Sequence, residues 1–530
     1  MSAAALRILL VLKHDGYVGV YEALVRELAA RGHHVHVAFY SGTDAGVAAI
    51  ERLSAGDTVS ASPAPRRAAL DGWSSVAWLA RSLGDLGRYA DPAFADAEAL
   101  RARMGAKVQS HLVNAAGFDP VTRRLALRWA RRLQRRTDTA TARNAIRRSA
   151  RLESAVPAGG RARRFVREHR PDVVLVSPLI ELASPLLEYL KAARQLGVPT
   201  GICVASWDNL TSKGLLRFVP ERVFVWNDTQ RREATELHGI PADRVVATGA
   251  ARFDEWFDQQ PSTPREAFVR SVGLDPSRPY LLYLCSSAFV APDEVDAVSR
   301  WLAALRACAD ERLRGAGVLI RPHPKRTEPW RNADLSRFGN ATVWHGDVRP
   351  GPEGVRAGFY DSIAHSAAVV GANTSAMLEA AIVGKQVFAY VSPEFAQEGT
   401  LHFRYLLEEN GGFLHVAGSL DEHLAQLAEG LGGGEARAGR VRAFVDSFLR
   451  PAGADVRATS VYADAVEELA EIPVVRRRDT DVPLRVALTP LAAVSSAALA
   501  VRVGRAAVAS RLPRSRRRAA GKARVGTVRA

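Results

Sequence analysis

The chain of 530 residues has 72 Lys and Arg against 56 Asp and Glu, a formal net charge of +16, with 47% apolar and 24% charged residues. That length exceeds one ordinary core and that composition is globular, which excludes a disordered chain and calls for two packed domains. Cys203, Cys285 and Cys308 share no CxxC or Cys/His spacing, which excludes a disulfide framework and a structural zinc.

In chain order, Ile8 to Leu12 has the continuous apolar pattern of a buried strand, then runs into Lys13-His14-Asp15, too short a stretch for a secretory signal. A turn with Gly16 and Gly19, an amphipathic helix from about Tyr21 to Ala30 and a strand from Val35 to Phe39 make a βαβ opening. Further strands are predicted at Asp172 to Val176, Thr200 to Ala205, Arg222 to Trp226 and Val245 to Thr248, with a helix from Pro185 to Leu196 capped by Ser184. Between Ser60 and Gly160 the sequence turns Arg-rich, Ala-rich and helical, an insertion rather than more sheet. Prolines in Gln259 to Pro264 mark a linker to a second unit. There the strands are Tyr280 to Leu284, Val318 to Arg321, the start of Ala367 to Val383, and Gln386 to Tyr390, with a helix over Glu294 to Ala309. The fold class is therefore α/β, two Rossmann-like domains facing a cleft. The expected boundaries are 1–258 for a first domain with its insertion at about 60–165, and 265–455 for a second domain. A crossing helix at 456–473, centred on Ser460 to Leu469, and a basic, partly apolar tail at 474–530 complete the chain.

Four polar clusters follow strands, where a parallel sheet presents its ligand-binding edge. In Val369-Val370-Gly371-Ala372-Asn373-Thr374-Ser375, an apolar strand stops at a glycine and two hydroxyls open a helix carrying Glu379. Backbone N–H groups and the dipole at such a start suit a diphosphate, and Glu379 suits ribose hydroxyls; an ordinary capped helix reads the same way. Arg321-Pro322-His323-Pro324-Lys325-Arg326 puts Arg, His and Lys in a proline-stiffened loop, where Arg321 and Lys325 neutralise a leaving diphosphate and His323 donates to it. The alternative is a basic surface turn. Ser206-Trp207-Asp208-Asn209 offers Asp208 as a general base, Trp207 as a platform for a sugar ring and Asn209 as a polar contact, or else an Asx-turn. Lys13-His14-Asp15-Gly16 offers His14 as a base oriented by Asp15, or a plain polar turn. No GxxxxGK[ST] loop and no HExxH or paired-carboxylate metal motif is present, so no metal and no cofactor are expected.

The turn at Gly371, Glu379 and Arg321-Pro322-His323-Pro324 resemble the donor half of GT-B glycosyltransferases, and more narrowly the CDP-glycerol glycerophosphotransferase and capsular-polysaccharide transferase group. The resemblance covers about Tyr280 to Tyr390, and the first domain only by its βαβ layout. It implies that Arg321, His323, Thr374 and Ser375 serve donor phosphates, with Ser392-Pro393-Glu394 nearby, and that an acceptor hydroxyl attacks the donor without a metal. The chain departs from the group at Asn373, where an acidic residue is usual.

Charge location bears on partners. Thr122 to Arg170 holds 16 Arg against three acids, Val474 to Ala530 holds 14 Lys or Arg against two, and the remainder is net acidic by 9. Two basic patches on an acidic body fit an anionic membrane surface better than nucleic acid. Leu125, Trp129 and Leu133 among arginines predict a basic amphipathic helix over Thr122 to Arg136. In the tail an apolar run from Val486 to Val501, interrupted by Pro490, precedes Arg511, Arg514, Arg516 to Arg518, Lys522 and Arg524. That run falls short of the roughly 20 residues that span a bilayer, so it is expected to lie on the surface. The expected partners are a nucleotide-sugar donor, a glycan or lipid-linked acceptor and the inner face of the plasma membrane, from the cytoplasmic side. A nucleotide-sugar 2-epimerase, a silent scaffold and a nucleic-acid binder are the alternatives.

Overall fold

The computed structural model describes residues 5–53, 56–115, 117–344, 354–392, 394–395, 400–431, 435–476 and 481–511. The first domain contains β1 (Arg7–His14), β2 (His34–Ser41), β3 (Val59–Pro63), β4 (Val173–Ser177), β5 (Thr200–Cys203), β6 (Arg222–Val225) and β7 (Val245–Ala247). Among the described residues these make a seven-stranded parallel sheet in the order β3-β2-β1-β4-β5-β6-β7. The second contains β8 (Tyr280–Leu284), β9 (Gly317–Arg321), β10 (Ala341–Val343), β11 (Ala368–Gly371), β12 (Val387–Tyr390) and β13 (Leu414–Ala417). Their six-stranded order is β10-β9-β8-β11-β12-β13. Strand order reverses between β1 and β4, and again between β8 and β11, and crevices for ligands open at the carboxyl ends of such switch points.

Alternation along the strands divides each sheet between two cores. Leu9 and Val11 join Val174, Val176 and Ile202 on one face, while Ile8, Leu10 and Leu12 join Val37, Leu175 and Phe224 on the other. In the second sheet Leu282, Leu319 and Val369 face one core, and Tyr283, Ile320 and Val370 the other. Burial on both faces explains the unbroken apolar strand sequences. Each such side chain contributes about 1.5–3 kcal/mol.

The helix Ala458–Ala470 returns to the first sheet, where Tyr462, Val466 and Leu469 pack against Val173, Leu175 and Phe224. Its start is held by the buried Asp254, which accepts from Thr459 N (2.7 Å), Thr459 Oγ1 (2.6 Å) and Arg450 Nη2 (2.9 Å). Gly249 lies at φ +81°, and a Cβ there would meet Leu449 O at 3.0 Å, so this junction requires glycine.

Four expectations change. β3 falls where helix was expected from Ser60: Val-Ser-Ala-Ser-Pro is short, weakly apolar and ends in a proline that only an edge strand tolerates. Ser184 does not cap the following helix, Leu187–Leu196; its Oγ is buried without a partner. Pro490 does not interrupt the tail helix, Val482–Arg511, whose span Val482–Val503 reaches 22 residues, with mean hydropathy 1.7 over its most apolar 18 residues, long enough by length and composition to span a bilayer. Arg514, Arg516 to Arg518, Lys522 and Arg524 lie outside the described residues. In the basic helix Pro120–Gln134, Trp129 and Leu133 pack inward against the insertion's core, while Val121 and Leu125, the latter 59% exposed, face solvent.

The insertion is tied down by charge. Arg81, 3% exposed, donates to both carboxylate oxygens of Glu153 at 2.9 Å and also pairs with Glu188; Lys191 Nζ reaches Glu153 at 3.0 Å. Burial pushes the Glu188 carboxyl up, but Arg81, Arg67 and Lys191 outweigh it and hold it at about 2. Breaking such a buried network from one side costs roughly 3–5 kcal/mol.

Candidate functional site

The carboxyl ends of the two sheets face one another. Trp207 Nε1, after β5, donates to Ser375 Oγ at 3.0 Å, and Thr211 Oγ1 lies 3.3 Å from His402 Nδ1. The Trp207 and His402 rings meet edge to face at 4.6 Å between centroids.

On the second-domain side, Arg321 ends β9 with its guanidinium 3.8 Å from the Phe359 ring centroid and 4.4 Å from that of Trp344. Its Nη1 donates weakly to Ser362 Oγ at 3.3 Å. Desolvation lowers its pKa to about 9 against the opposing pull of Glu379, so it remains a cation at neutral pH. Glu379 lies on the seven-residue helix Ala376–Ile382. Burial raises it to about 7 despite Arg252 and Arg321. Arg252 comes from the first domain, in the turn Ala251–Phe253 after β7.

His323 follows Arg321. Its Nδ1 accepts from Lys325 N at 3.1 Å, so the neutral ring carries its hydrogen on Nε2 and presents a donor. Desolvation, then Lys325 and Arg326, lower its pKa and favour that neutral form. Lys325 is exposed beside it.

The turn after β11 is fixed from beneath. A Cβ on Gly371 would meet Leu284 O at 3.0 Å. Asn373 N donates to Ser286 Oγ (3.2 Å), Asn373 Nδ2 donates to Thr400 Oγ1 (3.0 Å), and Ser286 N donates to Glu294 (2.8 Å). This chain joins β8 to β11 at the switch point. Asn373 is 5% exposed, so its expected donor contact is corrected: it positions the turn. Thr374 Oγ1 accepts a long 3.5 Å bond from Ala376 N, and Ser375 is exposed.

The first-domain expectations fare differently. His14 Nδ1 accepts from Gly16 N at 3.0 Å, which leaves the neutral ring a donor at Nε2 rather than a base. Asp15 does not orient it: the carboxylate accepts from Thr43 N (3.2 Å) and Thr43 Oγ1 (2.5 Å), and the Thr43 hydroxyl bond is the first cause of its lowered pKa. Burial pushes Asp208 up, but Lys213, His402, Ser206 and Ser212 bring it to about 2, too weak a proton acceptor for a general base. Trp207 is 2% exposed and offers no ring face to a sugar; it is a wedge between domains. Asn209, 5% exposed, accepts from Ala205 N at 3.2 Å and donates to Asp208 at 3.1 Å, which makes it a turn holder.

A cavity of about 160 Å³ beside Gly371 and Ala372 is lined by Tyr283, Trp301, Tyr390 and His423. His423 is fully buried with both ring nitrogens unpartnered, as is Trp301 Nε1, and burial lowers the His423 pKa to about 4. Ser392 and Glu394 also line it, Glu394 paired with Arg300; Pro393 lies outside the described residues. None of these rings stands in a polar motif, although Tyr283 and Tyr390 each sit at a strand's carboxyl end. Among the described residues no group of three His, Cys, Asp or Glu side chains is placed to hold a metal ion.

Two α/β domains meet across the carboxyl ends of their sheets, and the last helix of the second crosses back to the first. The fold is GT-B. No protein-family model and no curated protein matches the chain. Solved structures similar to it include the glycotransferase of kitacinnamycin, 14% identical, covering 88% of this chain and 100% of that one at TM-score 0.46. WaaG, a glycosyltransferase involved in lipopolysaccharide biosynthesis, is 13% identical over 88% of this chain and 100% of that one at TM-score 0.43. A UDP-GlcNAc 2-epimerase from Neisseria meningitidis bound to UDP-GlcNAc is 10% identical over 87% and 99% at TM-score 0.47.

Proposed function

We propose that the protein transfers a sugar, or a polyol phosphate, from a nucleotide-diphosphate donor to a glycan or lipid-linked acceptor without a metal, in the manner of surface-polysaccharide transferases. The observation that carries this reading is Arg321: a cation held by two aromatic faces at a sheet edge, with one weak hydrogen bond among the described residues and therefore N–H groups left to give. Beside it the His323 Nε2–H, Lys325 and the Ser375 hydroxyl supply further donors to a diphosphate leaving group. The rings of Tyr283, Trp301 and Tyr390, with the unpartnered His423 nitrogens, suit a flat polar base on the other side of the Gly371-Ala372 turn. The acceptor approaches from the first domain, whose loop after β5 reaches Ser375 and His402 across the cleft.

A thermal-shift screen of UDP-, GDP-, CDP- and dTDP-sugars with CDP-glycerol tests the reading. One donor is expected to stabilise wild type and to lose most of its effect in His323→Ala and Glu379→Ala. No shift with any of them in the folded protein removes the proposal. Conversion of the stabilising nucleotide-sugar to its 2-epimer, with no transfer, would place the protein among epimerases instead.

A further inference from the structure

A second chamber lies outside the donor loops. Its volume is about 530 Å³, and its walls include Lys13 and Tyr40 at the carboxyl ends of β1 and β2, Trp78 and Phe118 of the insertion, Leu182, and Leu499 of the tail helix. A shallow groove of about 400 Å³ adjoins it and shares Arg67 and Gly159 with it. The helix Gly160–His169 lines that groove with Arg161, Arg163, Arg164 and Arg167, all solvent-exposed. The groove's acid, Asp71, is already paired with Arg67 at 2.8 Å. At the junction Arg67 also pairs with Glu188 at 2.6 Å, yet its Nε is buried with no partner.

A largely apolar chamber, whose wall residues Arg67, Arg81 and Glu188 already pair with one another and Lys13 with Glu181, opens beside four guanidinium groups that make no ion pair among the described residues, and matches a ligand with one apolar end and one anionic end. The tail helix contributes Leu499 to the chamber while Val486 (66%) and Val501 (55%) stay exposed, so the chamber borders a surface that itself favours lipid. We propose that chamber and groove together bind one phosphate-headed amphiphile taken from a lipid bilayer. Its chain lies among Trp78, Phe118, Leu182 and Leu499, and its head on Arg163, Arg164 and Arg167. The proposal goes beyond the donor reading, and its failure leaves that reading intact because no donor-loop residue lines either chamber.

Titration of the full chain with dodecyl phosphate below its micelle concentration tests it. The expected result is saturable one-to-one binding, at least 10-fold tighter than dodecyl maltoside and at least 10-fold tighter than inorganic phosphate or pyrophosphate. Arg163→Glu with Arg164→Glu should weaken it at least 10-fold, and Leu499→Trp, which fills the chamber, at least 5-fold, with melting temperatures unchanged. On wild type alone, raising salt to about 0.5 M should weaken dodecyl phosphate binding several-fold, a test that needs no variant to fold. Equal affinity for the neutral amphiphile, equal affinity for free phosphate, insensitivity to salt, or folded variants that bind like wild type would each overturn it.

Discussion

Arg81 and Arg321 are arginines withdrawn from water in different company. Arg81, in the insertion, gives four hydrogen bonds, to Glu153, Glu188 and Ser184 O, whereas Arg321, at the cleft, is offered the faces of Trp344 and Phe359 and, among the described residues, one 3.3 Å hydrogen bond. A guanidinium clasped between buried carboxylates holds a fold together. One that is oriented by aromatic faces but left short of acceptors keeps donors to offer, which is the basis of the donor site proposed for Arg321.

The largest effect should come from breaking the first. Arg81→Ala leaves Glu153 and Glu188 buried and short of a cation, and should lower unfolding free energy in urea by about 3–5 kcal/mol. A loss under about 1 kcal/mol would mean that the network is not structural. Arg321→Ala should do the reverse, changing stability by no more than about 1 kcal/mol while weakening a nucleoside diphosphate roughly 10- to 100-fold, the worth of a charge-assisted contact.

Titration sharpens the contrast further. The Glu379 carboxyl is raised to about 7 by burial, so the folded protein binds that proton more tightly than the unfolded chain does. Its contribution is therefore fully present below the unfolded carboxyl range and is lost as pH rises toward about 7. Wild type should lose stability relative to Glu379→Gln between about pH 4.5 and 7, read from paired melts. Parallel curves would show an unperturbed carboxyl. The smallest effect belongs to the domain contact: Trp207→Phe removes the hydrogen bond to Ser375 and should cost about 0.5–1.5 kcal/mol in a melt.

Much of the architecture was legible because strands buried on both faces write continuous apolar runs, as at Ile8 to Leu12 and Tyr280 to Leu284. β10 and β13 escaped because Ala-Thr-Val and Leu-His-Val-Ala are too short to show a period, and β3 because an edge strand needs little apolar surface. In the candidate site, the position of Arg321 and His323 at a strand's carboxyl end was readable from an odd proline-flanked loop after an apolar run. The roles of Asn209, Asn373 and Trp207 were not, since a polar residue after a strand looks the same whether it faces a ligand or satisfies its own turn, and only the hydrogen-bond partners decide. Arg252 was invisible for a different reason: it matters only because domain contact carries it to Glu379.

The most direct test is isothermal titration of the nucleoside diphosphate whose sugar stabilises the protein, compared across wild type, Arg321→Ala and His14→Ala. Donor binding in the second domain predicts that wild type and His14→Ala bind within about 3-fold of each other while Arg321→Ala binds at least about 10-fold more weakly. Equal binding by all three would contradict a donor site built on Arg321.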